Sequence, residues 1–104
     1  MKTTITKRDI AKRVSNEIDE KFPLTEKVVS ALFTTLREVM AEADPEVRIE
    51  IRDFGVFEVK TTKAKPKARN PKTGEIVYVP PRRKTHFKPG KLLKEELKKP
   101  LKKT

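Results

Sequence analysis

Lys63-Ala-Lys-Pro-Lys-Ala-Arg-Asn-Pro-Lys-Thr-Gly74 is the stretch around which the rest of the chain is organised. Lys63, Lys65, Lys67 and Arg69 recur at every second position. A β-strand sends alternate side chains to opposite faces, so an extended segment here would carry these cations in a row on one face. Thr62, Ala64, Pro66 and Ala68, all small, would fall on the other. Asn70-Pro71 then favours a turn: Asn suits its first position, and Pro71 pre-sets the backbone angle of the second. Gly74 can adopt the positive φ that often closes a longer hairpin loop. Glu75-Ile-Val-Tyr-Val79 has strand composition and runs back. The expectation is a basic two-stranded arm over about 61–80 with a proline at its tip. Two strands alone are marginal in water, so the arm should be mobile until it rests on something anionic.

The whole chain has 104 residues, which argues for one domain over 1–104. Removing the arm leaves a core so small that association between chains becomes attractive. Cysteine is absent, which excludes disulfides, thiolate chemistry and zinc–cysteine sites. No apolar run is long enough to span a membrane. Met1-Lys-Thr-Thr-Ile5 lacks the apolar core of a signal peptide, so a cytoplasmic location is expected. Charge is unevenly placed. Residues 1–59 carry 10 Lys/Arg and 12 Asp/Glu, and the remainder 16 and 3, giving −2 and +13 of the total +11. That split reads as a near-neutral scaffold joined to a polyanion-binding surface rather than as charge spread for solubility. Glutamine is absent and Asn occurs only at Asn16 and Asn70, a composition that leans toward heat adaptation.

Taken in order, Thr6 and Asp9 form a capping box that opens a helix over about Lys7 to Lys21, with Ile10, Ala11, Val14 and Ile18 on one face. Pro23 interrupts, and Thr25 is a candidate N-cap for a second helix. Val28, Val29, Leu32, Phe33, Leu36, Val39, Met40 and Ala43 make an apolar band wider than one packing face needs. An ordinary core helix explains part of it; a contact with another subunit explains the surplus. Asp44-Pro45 ends that helix. Val47, Ile49 and Ile51 alternate with Arg48, Glu50 and Arg52 as a half-buried strand. Asp53-Phe-Gly55 is a tight connection in which Gly55 is expected to take an angle other residues avoid. Phe57 and Val59 continue a second strand into the arm. Pro80-Pro81 marks a break, and Arg82 to Phe87 returns as a third strand. Pro89 fits the first turn of a short helix, where its missing N–H leaves no bond unmade, lined by Leu92, Leu93 and Leu97; Pro100 stops it, leaving a basic tail over about 100–104.

At Gly55-Val-Phe57, Arg69-Asn-Pro-Lys-Thr-Gly74 and Phe87-Lys-Pro-Gly-Lys91 the chain strongly resembles the HU and integration host factor family of bacterial DNA-bending, nucleoid-associated proteins, the HU type in particular. The resemblance runs from Lys7 through the last helix. It implies an α+β fold with two N-terminal helices, a three-stranded antiparallel sheet bearing a long β-hairpin arm, a short C-terminal helix and an intertwined dimer, here taken as a homodimer. It implies arms that embrace double-stranded DNA in the minor groove, Pro71 intercalating as a wedge, and Arg69 and Asn70 beside it in the groove. Lys7 and Lys91 match family positions that meet phosphates. There are departures: Asp53 stands where glycine is usual, the connection between the first two helices is longer, Pro66 replaces a frequent arginine, and the tail extends past the usual end.

The candidate DNA-binding residues are therefore Lys63, Lys65, Lys67, Arg69, Asn70, Pro71, Lys72, Lys7, Arg82, Arg83, Lys84, Lys88 and Lys91. Residue chemistry alone reaches a coarser version of this. Lysine and arginine on phosphates give salt-dependent, sequence-independent affinity. No segment reads as a recognition helix rich in Asn, Gln and Arg for the major groove. A rigid apolar tip in a minor groove can unstack a base step. Spacing alone favours Pro71 as a plain turn residue, and it is the resemblance that reverses this; for the basic row a solvated strand face is the lesser alternative to binding. Phe54, Phe57 and Phe87 read as core packing, with stacking platforms for single strands the alternative. His86 is the only histidine and has no cysteine or sequence-local carboxylate companion; no catalytic residue, metal site, cofactor, small-molecule substrate or membrane contact is assigned, and the chain is read as a non-enzyme. The competing function readings are a site-preferring bender, an RNA-associated ribosomal-type protein, and a module for an acidic protein partner.

Overall fold

The structure, a computed structural model, describes residues 2–101. The chain divides into two compact units at the boundary between Ala41 and Glu42. The first unit is a helical pair. Helix α1 spans Lys7–Glu17 and α2 spans Phe22–Ala41. The capping box at the start of α1 is closed in both directions: Asp9 N–H donates to Thr6 Oγ1 at 3.2 Å, and Thr6 N–H donates to Asp9 Oδ2 at 2.9 Å. Two hydrogen bonds from Thr6, first its backbone and then its hydroxyl, hold the Asp9 carboxyl below its ordinary pKa.

Helix α1 stops earlier than its sequence periodicity suggests. Asp19 takes φ +52°, a left-handed turn that short polar side chains tolerate, and this ends the helix at Glu17 instead of near Lys21. Pro23 does not interrupt α2 but lies in its first turn, where a missing N–H leaves no helical bond unmade. Thr25 is accordingly not the N-cap. Its backbone N–H and its hydroxyl both donate to the Lys21 carbonyl at 3.2 Å, and its side chain is buried within the helix pair. Ala11 and Ser15 of α1 and Thr25 and Val29 of α2 are the buried residues here. All are small or short, which lets two helices approach closely. Leu24, Val28 and Leu32, four residues apart on α2, form a separate stripe that is more than half exposed in the single chain.

The second unit is built on an antiparallel sheet in the order β1–β2–β5, from Val47–Ile51, Gly55–Thr61 and Arg83–Pro89. Strands β3 (Lys65–Arg69) and β4 (Ile76–Val79) form a separate two-stranded ladder, and helix α3 (Lys91–Leu97) follows β5; Pro89 is not in the first turn of α3 but ends β5 opposite Gly55, and Gly90 takes the N-cap. The register pairs Ile49 with Phe57 and Phe57 with Phe87, so these side chains share one face. On that face the rings of Phe57 and Phe87 lie 4.7 Å apart, with Phe54 5.3 Å from Phe87. This is packing geometry for aromatic pairs and supports the core reading of Phe57 and Phe87, whereas Phe54 packs on Phe87 but remains 44% exposed. The element order and sheet are the α+β arrangement expected from the sequence.

Between β1 and β2 the unusual angle belongs to Asp53, at φ +64°, and not to Gly55. Gly55 is required for a different reason: a Cβ there would sit 2.5 Å from the Lys88 carbonyl oxygen and 2.7 Å from the Phe87 ring. Gly74 does take the positive φ expected, +76°, in open space. The two glycines therefore differ in what they tolerate. Gly55→Ala should lower stability by roughly 1–3 kcal/mol through overpacking. Gly74→Ala should cost about 1 kcal/mol through backbone strain alone. Thermal unfolding of both variants checks this, and equal, negligible losses would contradict it.

Candidate nucleic-acid interface

The arm begins at a clamp. Thr62 N–H donates to the Arg82 carbonyl at 2.7 Å, and Arg82 N–H returns a bond to Thr62 Oγ1 at 3.0 Å. The Glu46 carboxylate accepts from the Thr61 N–H at 3.0 Å, closing the end of β2. Beyond the clamp only β3 and β4 continue. The tip is closed by Asn70 N–H to the Glu75 carbonyl and Gly74 N–H to the Asn70 carbonyl, both 2.7 Å. Asn70 Oδ1 accepts from the Lys72 N–H at 2.9 Å, the local turn bond that favours Asn at such a site. Thr73 Oγ1 accepts from Glu75 N–H at 3.2 Å. The tip is thus closed by hydrogen bonds among its own residues and leaves Pro71 and Lys72 exposed at the end of the arm.

The cations do not share one face as strict alternation predicts. Lys65 pairs with Val79, whereas Ala68 pairs with Val77 and Arg69 with Ile76, so the register slips by one residue between Lys65 and Ala68. Pro66 lies inside that irregularity and, having no N–H, cannot complete a ladder there. Val77 and Val79 point the same way, so Lys65 shares their face along with Ala68. Arg69 shares the opposite face with Ile76, and Lys67, two residues away, lies with it. A shallow hollow lined by Thr62, Lys63, Lys65, Ala68, Val79 and Arg82 marks the first face. The arm therefore presents Lys63, Lys65 and Arg82 on one side, and Lys67 and Arg69 on the other.

The sheet's second face is charged. Register brings Arg48 opposite Glu58, Glu58 opposite His86, and Lys60 opposite Lys84. Like charges directly opposed on a sheet repel, so the Lys60–Lys84 pair has no structural benefit. Glu58, nearly buried, is the local counter-charge: Lys88 Nζ lies 2.9 Å from Oε1 and Lys60 Nζ 3.7 Å from Oε2. The close approach of the Lys88 ammonium, with help from the charges of Lys60 and Arg48, holds the Glu58 carboxyl below its ordinary value against the opposing effect of burial. Sequence reading does not find this carboxylate. Its only signal is an acidic residue in a strand that otherwise alternates toward apolar packing.

The other candidates are scattered. Arg83 Nη1 donates to the Ala43 carbonyl at 2.7 Å, a structural tie across 40 residues of sequence. Lys91 opens α3, and Lys7 opens α1 in the first unit; both are exposed. A cation at a helix N-terminus opposes the macrodipole, so Lys7 gains nothing locally from its place. Lys99 pairs with Glu96 at 3.0 Å, while Lys102 and Lys103 of the basic tail lie outside the described residues. Among the described residues no three His, Cys, Asp or Glu side chains gather into a metal-binding group, and no helix is long and apolar enough to cross a membrane.

The family model described as bacterial DNA-binding protein matches residues 5–98. The chain belongs to this family, the HU family. It is 32% identical over 94 residues to the DNA-binding protein HU of Thermotoga maritima, covering 90% of this chain and all of that protein. It superimposes on the HU of Anabaena from a cocrystal with DNA with a TM-score of 0.78 and 28% identity, covering 92% of this chain and all of the other. The fold and the recognition of the family from the arm tip are thereby borne out.

The charged sheet face of this HU-family chain yields a pH prediction. A depressed carboxyl pKa adds stability that is fully present above the unfolded value, near 4.5 for glutamate, and is lost as pH falls through the folded value. The native chain should therefore melt higher than Glu58→Gln at neutral pH, and the gap should close on acidification. A gap that persisted unchanged into acid would contradict the assigned role of the carboxylate.

Proposed function

We propose that the protein is an architectural double-stranded DNA-binding protein that works as a homodimer, bending and compacting DNA of the nucleoid with low sequence specificity. The observation that carries this reading is Pro71, exposed at the end of a cationic two-stranded arm whose tip is closed by hydrogen bonds among its own residues. A narrow ribbon suits a minor groove about 6 Å wide, where base readout is degenerate and shape dominates. The split of cations over both sides of the arm supports it further, because a groove has a phosphate rim on each side. Lys63, Lys65 and Arg82 would serve one rim and Lys67 and Arg69 the other. Asn70 commits its side-chain oxygen to the turn and keeps its amide N–H groups for acceptors on the groove floor.

Intercalation of Pro71 would unstack one base step at a cost of a few kcal/mol. Proline is suited to this because it is rigid, apolar and loses little conformational entropy on ordering. The kinked duplex can then reach cations further from the arm, among them Lys84, Lys88, Lys91 and Lys7, and these contacts offset the unstacking cost. Two arms on a dimer give two kinks about a two-fold axis. Lys88 reaches a phosphate only by leaving Glu58, so its contact is weaker than its charge implies. Arg83 contributes mainly by holding the base of the arm.

The test is end-to-end energy transfer on a doubly labelled duplex of about 35 base pairs, well below the persistence length, so that any closure is the protein's work. The native protein should bring the ends together, and Pro71→Ala should bind with a similar salt slope but a smaller bend. Binding by both with the ends apart would reduce the arm to an electrostatic grip. Failure to bind duplex DNA, with retention on folded RNA, would favour the RNA-associated reading. Competition between random duplexes and a selected site separates low specificity from site preference.

A further inference from the structure

Ile76 and Tyr78 are each 62% exposed on β4. Two residues apart on a strand, they face the same way. The register sets Arg69 directly beside Ile76, and strand alternation back from Arg69 carries Lys67, at the irregular step, onto the same face. One side of the arm is thus an apolar and aromatic strip on β4 flanked by two cations on β3. Strand propensity alone can place Ile and Tyr here. It does not favour leaving both largely uncovered beside charges, where threonine or lysine would serve the ladder as well. The face has the chemistry of an unfilled contact.

We propose that Ile76 and Tyr78 form a second, non-electrostatic grip on double-stranded DNA, packing against the deoxyribose wall of the groove while Lys67 and Arg69 reach the adjoining phosphates. The proposal rests on the DNA-binding reading above and adds residues that reading does not use. The occupant follows from complementarity. A groove wall is an apolar sugar surface edged by anionic phosphates, which matches an apolar strip edged by cations. A second copy of the arm would bring Lys67 and Arg69 against their own kind, and the repulsion disfavours it. Tyr78 suits the role because its ring is a rigid apolar body with a hydroxyl that can donate to a phosphate or sugar oxygen. Contacts of this kind release no counterions, so they raise affinity without steepening its dependence on salt.

The chain supplies its own probe, because it has one tyrosine and no tryptophan. Its intrinsic fluorescence therefore reports on position 78 alone. Unlabelled protein is titrated with duplex DNA while binding is followed independently by anisotropy of a labelled duplex. At saturation the tyrosine should become several-fold less accessible to acrylamide. Tyr78→Ser should weaken binding by about tenfold at every salt concentration with a parallel log K against log salt line, while Tyr78→Phe stays close to native. Lys67→Ala, by contrast, should lower the slope by about one. Circular dichroism confirms that each variant is folded. Saturated binding with the tyrosine as accessible as before, or native affinity in Tyr78→Ser, overturns the proposal while leaving the DNA-binding reading intact. Shielding that grows with protein concentration in the absence of DNA assigns the strip to arm–arm pairing and also overturns it. No anisotropy change removes both readings together.

Discussion

Among the described residues, the buried apolar side chains are Ala11, Val29, Ala43 and Val59, and no large side chain is fully buried. That shortage is the constraint on which everything else depends. Leu24, Val28 and Leu32 make a continuous stripe on α2 with more than half of each residue in water. In the second unit Leu92 is 55% exposed and Phe54 44%. Each such residue, once covered, contributes about 1.5–3 kcal/mol. A chain of this size stays folded on a margin of only about 5–15 kcal/mol, so apolar surface on this scale decides whether it folds at all. Under the proposed dimer the covering surface is a second copy, and association becomes part of folding rather than a later event. The arms then come as a pair by construction.

The arm can be so exposed because its ends are secured. Its backbone is closed at the tip by Asn70, Gly74 and Glu75 and at the base by Thr62, Arg82 and Glu46. Little holds the middle except β3 pairing with β4. Charge prevents this ladder from serving as a free edge for aggregation, since Lys65, Lys67 and Arg69 line the strand. The sheet beneath carries its repulsion at Lys60 and Lys84 with one nearly buried carboxylate, Glu58. A surface that concentrates like charge at a structural cost is suited to an external anion, and the proposed duplex would supply it.

Much of this is legible in the amino-acid sequence alone. The capping box at Thr6 and Asp9, the alternating strand at Val47–Ile51, the loop glycine at Gly74 and the basic arm each follow from a local rule. The features that escape are those set by partners distant in sequence. Glu58 finds its lysine 30 residues away, through strand register. The cations of the arm split between two faces because Pro66 breaks the ladder, and period-two counting has no term for a missing N–H. Gly55 reads as a turn residue when its constraint is the Phe87 ring across the sheet, and Asp53 carries the left-handed angle instead. Thr25 resembles a cap only while Pro23 reads as a break rather than a first-turn residue. In the candidate site, the tip is readable as a motif, whereas the Ile76 and Tyr78 strip depends on which strand faces the fold leaves uncovered.

The measurement that tests the account most directly is thermal unfolding across a wide range of protein concentration, paired with sedimentation of the folded species. If a second copy completes the core, mass action requires the melting temperature to fall steadily on dilution, and the folded species to sediment as two chains. A melting temperature independent of concentration, with a folded single chain in the centrifuge, would contradict it. The exposed stripe on α2 would then need another cover, and the paired arms on which the bending mechanism depends would have no basis.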